Sequence, residues 1–318
     1  MNEPDEKQPS RYQSVFRDGM FAGRVAVVTG GGTGIGRCVA HELAALGATV
    51  VLWGRREEPL RRTVAEIGED GGTASYVTGD IRAGEAVDEA VDTVIERHGH
   101  VDLLVNNAGG QFSALAVDIS ANGFDAVVRN NLLGGFLVAR ACFVRSMAER
   151  GGAIVNITAD YARGIPLMCH SSAARAGMAN LTRTLAVEWA TAGVRVNAVA
   201  PGFVASSGYD TYVGQPFHDR LGQLPRLTLA QRHGTESEVS AAVVFLLSDA
   251  AAFITGQEML IAGGADLVNG LLETPHHDRM RPFSGFHRSL APTVLSAHAA
   301  GDGTQPPPAD SPSMRRFG

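Results

Sequence analysis

Thr29-Gly30-Gly31-Gly32-Thr33-Gly34-Ile35-Gly36 is the stretch that decides how this 318-residue chain folds. It follows the apolar run Val25-Ala26-Val27-Val28 and precedes a helical pattern, so a strand hands glycines to the start of a helix. The first turn of a helix carries unpaired backbone N–H groups and the positive end of the macrodipole, and together these seat a pyrophosphate. The spacing is Gly-x-x-x-Gly-x-Gly and not the Gly-x-Gly-x-x-Gly of the commoner dinucleotide fingerprint. Either spacing also arises simply to close a strand–helix turn, so its meaning depends on residues further along the chain.

Outward from this loop, short apolar runs alternate with amphipathic segments. Strands are predicted at Val25–Thr29, Thr49–Trp53, Ser75–Thr78, Val101–Val105, Ala153–Ile157, Val194–Val199 and Glu258–Ile261. Long helical patterns fill Phe124–Glu149 and Ala173–Trp189. Such alternation predicts an α/β fold, a single doubly wound parallel sheet of Rossmann type with helices on both faces. Residues 1–20 read as a flexible polar arm, 21–270 as the dinucleotide-binding and catalytic domain, and 271–318 as an extended, partly disordered tail containing Pro306-Pro307-Pro308. The irregular, Gly-, Pro- and Tyr-containing stretch from Phe203 to Leu229 is long enough to be a lid.

Composition narrows the function. A net charge of −6 argues against nucleic acid as a partner, and a mean hydropathy of +0.02 suits a soluble globular chain. No span of the membrane is expected, and the polar start Met1-Asn2-Glu3-Pro4-Asp5-Glu6-Lys7 does not read as a signal peptide. Cys38, Cys142 and Cys169 lack metal or redox spacing, so they are expected to be reduced thiols, with no metal site and a cytoplasmic location. The end Met314-Arg315-Arg316-Phe317-Gly318 is not a Ser-Lys-Leu type of address.

The glycine loop has company in Asn106-Asn107-Ala108-Gly109, Asn131-Leu132-Leu133-Gly134 and Pro201-Gly202. Together these resemble the short-chain dehydrogenase/reductase superfamily over roughly residues 21 to 270. The resemblance implies a nicotinamide cofactor lying over Gly30, Thr33, Gly34, Ile35 and Gly36. Asp80 and Ile81 and the Asn107-Ala108-Gly109 turn would face the adenine side, and Pro201, Gly202 and Val204 would face the nicotinamide carboxamide. The second strand ends in Trp53-Gly54-Arg55-Arg56, without the carboxylate that would bind a ribose 2′-hydroxyl. Two guanidiniums there match a 2′-phosphate, with Arg37 as a third positive charge, so NADP(H) is the expected cofactor.

The superfamily's usual catalytic pattern is broken. Ser171 falls where the tyrosine of a Tyr-x-x-x-Lys pair would be, Arg175 where the lysine would be, and Thr158-Ala159 where the serine would be. A serine hydroxyl is too weak an acid to replace a phenol. This departure resembles the 2,4-dienoyl-CoA reductase branch, with Tyr161 as a shifted tyrosine after the fifth strand. Gly109-Gly110-Gln111-Phe112, the run His170 to Gly177, and Ala252 to Gln257 are similar to trans-2-enoyl-CoA reductases of the peroxisomal type. The resemblance implies reduction of a conjugated acyl-CoA, in which charge builds on the thioester oxygen and aimed donors matter more than a strong acid. On this reading Tyr161 and Asn131 are the donors and Ser171 orients the thioester. Arg175 holds the nicotinamide ribose and supplies positive potential. His170 reads as a capping or packing residue, and Arg226, Arg232 and His233 as a solvated rim. Alanine-rich helix faces match the family's tetramer contacts, so a homotetramer is expected. Two alternatives stand beside this one: a dehydrogenase acting on alcohols or 3-hydroxyacyl (3-oxoacyl) groups, and a non-catalytic cofactor-binding protein.

Overall fold

Near-continuous apolar runs let the central strands bury both faces, while the two edge strands, Thr73–Thr78 and Glu258–Ile261, are partly exposed. All seven predicted strands are present with ends displaced by at most two residues. The structure, a computed structural model, describes residues 10–269, 271–272 and 275–300. The strands are β1 (Val25–Thr29), β2 (Thr49–Gly54), β3 (Thr73–Thr78), β4 (Leu103–Asn106), β5 (Gly152–Ile157), β6 (Val194–Pro201) and β7 (Glu258–Ile261). They form one parallel sheet in the order β3-β2-β1-β4-β5-β6-β7. The order reverses between β1 and β4, which opens a crevice beyond their carboxyl ends.

Helices α1 (Gly34–Ala45), α2 (Glu57–Glu69) and α3 (Gly84–His98) follow the first three strands. The long helix α4 (Ala121–Arg150) and then α5 (Cys169–Glu188) and α6 (Glu236–Leu247) complete the layers. Ala26 and Val28 of β1 pack with Val39 and Leu43 of α1 and Val243 of α6 on one face. Val25 and Val27 pack with Val91 of α3 and Val138 of α4 on the other. Thr235 and Glu238 close a capping box at the start of α6. Helix α4 is apolar and long enough to cross a membrane, contrary to the sequence expectation, yet it lies in the helical layer with nearly half of its apolar window buried. It carries two π turns, at Arg129–Leu133 and Phe143–Met147.

The arm and the tail are less loose than expected wherever they are described. Tyr12 is buried and stacks on Phe286 at a centroid distance of 5.9 Å. Arg288 pairs with Asp70 at 2.7 Å, and Arg37 of α1 lies 4.8 Å from the Phe286 ring. A few aromatic and charged residues are enough to clasp otherwise polar segments to α1 and α2. A last helix, α7 (Thr293–Ala300), docks on the segment after β6. Residues 1–9, Pro306-Pro307-Pro308 and the end Met314–Gly318 lie outside the described residues. Cys38 and Cys142 are buried, Cys169 is exposed, and no disulfide joins them.

Candidate active site

The glycine loop is held by the end of β4. Thr29 Oγ1 accepts from the N–H groups of Asn107 and Ala108, each at 3.0 Å, while Asn107 Nδ2 donates to the Thr29 carbonyl at 3.0 Å. Gly30 has a φ of +67°, and a Cβ there would stand 2.8 Å from Asn107 Nδ2. Any side chain at Gly36 would run into the Gly30 carbonyl and Asn107. Both positions therefore require glycine. Thr33 caps α1 without a side-chain bond, so the first-turn N–H groups around Gly34 and Ile35 remain available to a ligand. This cradle fits the pyrophosphate of NAD(P)(H).

Around the cradle, the predicted cofactor residues gather at the strand ends. Arg55 and Arg56 are exposed just beyond β2 and make no ion pair among the described residues. Arg37 does not join them: it is buried, with Nε bonded to Glu66 at 2.8 Å, because it faces the tail and not the crevice. The Asp80 carboxylate is gripped by the Arg82 side chain at 2.6 Å and by its N–H, which with the nearby Arg55 charge holds it down at about 2. Ile81 is buried against Gly134, where a Cβ would meet its Cδ1 at 2.7 Å. Gly202 passes so close to Ala262 that a Cβ would lie 2.7 Å away. The Pro201 carbonyl accepts from Asp160, and buried Val204 bridges to Gly234.

Deeper in the crevice lie the residues expected to act on substrate. Arg175 is buried, donates to the Ile157 carbonyl at 2.6 Å and has no carboxylate partner among the described residues. Burial draws its proton affinity down to about 10, yet an arginine keeps its charge through the working pH range. Its head abuts Gly109, where any Cβ would collide with Nη2. Ser171 is buried, with its Oγ 3.4 Å from Gln111 Oε1. The neighbouring His170 ring meets Phe112 edge-on at 4.5 Å, and burial lowers its pKa. It is a packed histidine, and Met168, not His170, occupies the cap position of α5.

Two of the expected donors are engaged within the protein. Asn131 was expected to donate to substrate. Its amide instead donates to the carbonyls of Gly110 at 2.7 Å and Val127 at 3.0 Å, and its Oδ1 accepts from the Gly110 N–H. The π turn leaves the Val127 carbonyl open, and the asparagine ties that carbonyl to the loop after β4. Asn131 thus positions Gly109 and Gly110 and offers no free donor. Tyr161 was expected at the thioester oxygen, but its hydroxyl donates to Glu258 Oε2 at 2.7 Å. Burial, then that carboxylate, push the phenol up to about 12. Thr158 donates to the same carboxylate at 2.5 Å, so both hydroxyls of the turn after β5 are bonded to β7.

Sequence reasoning passed over Gln111 as an actor and Tyr212 altogether. The expected lid is two 3-10 segments, Ser207–Tyr212 and His218–Leu227, which bury Tyr209, Tyr212, Leu221 and Leu224 against Met168 and Val294. Gln111 Nε2 donates to the Tyr212 hydroxyl at 2.7 Å, and the Arg175 charge reaches that phenol. The only signal in the sequence was that a tyrosine-bearing irregular segment follows Pro201-Gly202. Arg232 is engaged by Glu238 at 2.6 Å and His233 by Tyr209 at 3.3 Å, while Arg226 stays exposed at the rim.

The profile of the family described as Enoyl-(Acyl carrier protein) reductase matches residues 30–266. A peroxisomal 2,4-dienoyl-CoA reductase [(3E)-enoyl-CoA-producing] of Danio rerio is 33% identical, over 82% of this chain and 87% of its own. A 3-oxoacyl-[acyl-carrier-protein] reductase of Synechocystis sp. is 37% identical, over 76% of this chain and 96% of its own. Among solved structures, the citronellol catabolism dehydrogenase AtuB of Pseudomonas aeruginosa PAO1 is 53% identical with a TM-score of 0.71, covering 80% of this chain and 99% of that one. The chain belongs to the short-chain dehydrogenase/reductase family, and it is an oxidoreductase that uses NAD(P)(H).

Proposed function

We propose that this oxidoreductase reduces the conjugated double bond of an α,β-unsaturated acyl-CoA, a trans-2-enoyl-CoA or a 2,4-dienoyl-CoA, with NADPH. The observation that carries the reading is Arg175: a buried guanidinium without a carboxylate partner among the described residues, four residues after a serine that stands in for the expected tyrosine. Such a site suits the stabilisation of negative charge better than the shuttling of a proton. The names of the dienoyl-CoA reductase relatives support the same substrate class.

When bound, the reduced nicotinamide supplies a hydride. Gly30, Gly34 and Gly36 admit the pyrophosphate, and Arg55 with Arg56 pairs with the 2′-phosphate that distinguishes NADPH. On this reading Arg175, which is buried and bonded to the Ile157 carbonyl, sets the potential at the reacting carbonyl, and Ser171 Oγ turns from Gln111 to the thioester. Asn131 acts one step back by fixing Gly110. We place the protein in the cytoplasm as a homotetramer. The exposed Val144 of α4, Val187 of α5 and Phe253 support an assembly that covers them.

A second reading rests on the 53% identical relative named as a dehydrogenase of citronellol catabolism. On that reading an alcohol is oxidised with NAD(P)+. One assay separates the two. NADPH oxidation is followed with a trans-2-enoyl-CoA, a 2,4-dienoyl-CoA and a 3-oxoacyl-CoA, and NADP+ reduction with citronellol. Consumption with either of the first two alone supports the conjugate reductase. Activity confined to the 3-oxo thioester or to citronellol overturns it.

A further inference from the structure

The two tyrosines near the site differ in what their protons meet. Tyr161 donates a hydrogen bond to the carboxylate of Glu258. Tyr212 accepts from Gln111 Nε2 at 2.7 Å, and among the described residues its own proton meets only the thioether of Met168, at 3.9 Å. A thioether is a weak acceptor, and a phenol this deeply buried ordinarily finds a real one. Tyr212 is therefore a donor held in place by an acceptor bond and with its proton uncommitted. It stands in one cluster with Gln111, Ser171 and Arg175, and it arrives on the segment Ser207–Tyr212.

Building on the acyl-CoA reading above, we infer that Tyr212 is the phenolic donor of this active site, giving a hydrogen bond to the thioester oxygen of the unsaturated acyl-CoA. As hydride reaches the β-carbon of a 2-enoyl thioester, the C=C electron pair moves to form a Cα=C bond and the carbonyl pair moves onto oxygen. The enolate oxygen is met by the Tyr212 hydroxyl and by the field of Arg175. A proton from water then adds at the α-carbon, giving the saturated thioester and the oxidised dinucleotide. The lid thus restores the hydroxyl that the chain lacks at Ser171. Gln111 is a positioning residue, since it holds the phenol by its oxygen and leaves the proton free.

The test compares the full-length wild type with Tyr212→Phe, Tyr161→Phe and Gln111→Leu. Turnover of a trans-2-enoyl-CoA is expected to fall about 10²-fold in Tyr212→Phe, in line with loss of an oxyanion donor, with NADPH affinity unchanged. Tyr161→Phe is expected to stay within about twofold, and Gln111→Leu to lose roughly tenfold. A second readout does not depend on turnover. Acetoacetyl-CoA bound beside NADP+ is titrated through the near-ultraviolet absorbance of its enolate, which is expected to appear at higher pH in Tyr212→Phe than in wild type. Wild-type turnover in Tyr212→Phe, or an unshifted enolate titration, overturns the assignment while leaving the acyl-CoA reading in place. Wild type that reduces no unsaturated acyl-CoA overturns that reading, and the titration then decides Tyr212 by itself.

Discussion

The glycine loop and the lid meet at the same end of the sheet and are built in opposite ways. The loop is made by contiguous residues between β1 and α1, fixed by positive φ angles and by Thr29–Asn107 bonds between neighbouring strands. The lid is assembled from afar. Gln111 bonds Tyr212, Ser113 takes Gln215 and Phe217, and Asp210 takes Thr293 and Val294 of the tail. The first is a rigid turn that carries cofactor binding wherever the sheet forms. The second makes its chemistry depend on long-range packing around Leu221, Leu224 and Met168. On the proposed function, the binding of cofactor and the recognition of substrate are expected to be separable by mutation.

That separation is open to attack, first at Arg175, whose head lies against Gly109 and whose charge acts on Tyr212 of the lid. Arg175→Met is expected to lower kcat/KM about 10³-fold while NADPH affinity changes by roughly tenfold. An equal loss in both would assign it to the cofactor half alone. Arg175→Lys sharpens the point, because burial lowers a lysine pKa. As pH rises through that value the charge is lost, so the variant is expected to lose activity in alkali where wild type holds its rate.

On the cofactor side, replacing Arg55 and Arg56 by Ala is expected to raise the KM for NADPH about 10–100-fold and leave NADH nearly unchanged. Parallel changes for the two cofactors would remove the 2′-phosphate assignment. Asn131→Ala probes the joint between the halves: turnover is expected to fall about tenfold through a loosened Gly110, with NADPH binding intact. A rate that does not move would detach the π turn from the site.

The smallest effects belong to the clasp behind the cofactor loop. Burial alone would raise the Glu66 carboxyl, but His41 and Arg37 bring it to about 2, below its ordinary range. The fold thus favours the ionised form. Its stabilisation is complete above the ordinary carboxylate pKa and is lost as pH falls from there toward 2. Melting curves are expected to show this acid loss in wild type and a smaller one in Glu66→Gln. Arg288→Ala, which removes the guanidinium but leaves Asp70 its contacts with His41 and His287, is expected to lower Tm by roughly 2–4 °C at neutral pH without altering kcat. A change in kcat would mean that the tail reaches the lid energetically through α7.

The legibility of the site follows the same division. The glycines at Gly30 and Gly36, the basic strand tip at Arg55 and the replacements at Ser171 and Arg175 stood out in the sequence because each is a matter of adjacent residues or of strand order. The roles given to Arg55, Ser171 and Arg175 are proposals. The direction in which a side chain points was not. Asn131 and Tyr161 had the right chemistry, and only the folded chain revealed that nearer partners, the Gly110 carbonyl and the Glu258 carboxylate, accept their hydrogen bonds. The clasp of Tyr12 on Phe286 was hidden for a related reason, since two aromatics in polar segments give no periodic signal.

The sequence by itself determined the parallel sheet, its crevice and the dinucleotide cradle, because strand alternation and glycine backbone freedom are local properties of the chain. Which phenol keeps its proton for the substrate was decided only by the tertiary structure. Tyr212 reaches Gln111 across 101 residues of chain, and its hydrogen-bond partners exist only after β4, α5 and the lid have packed together.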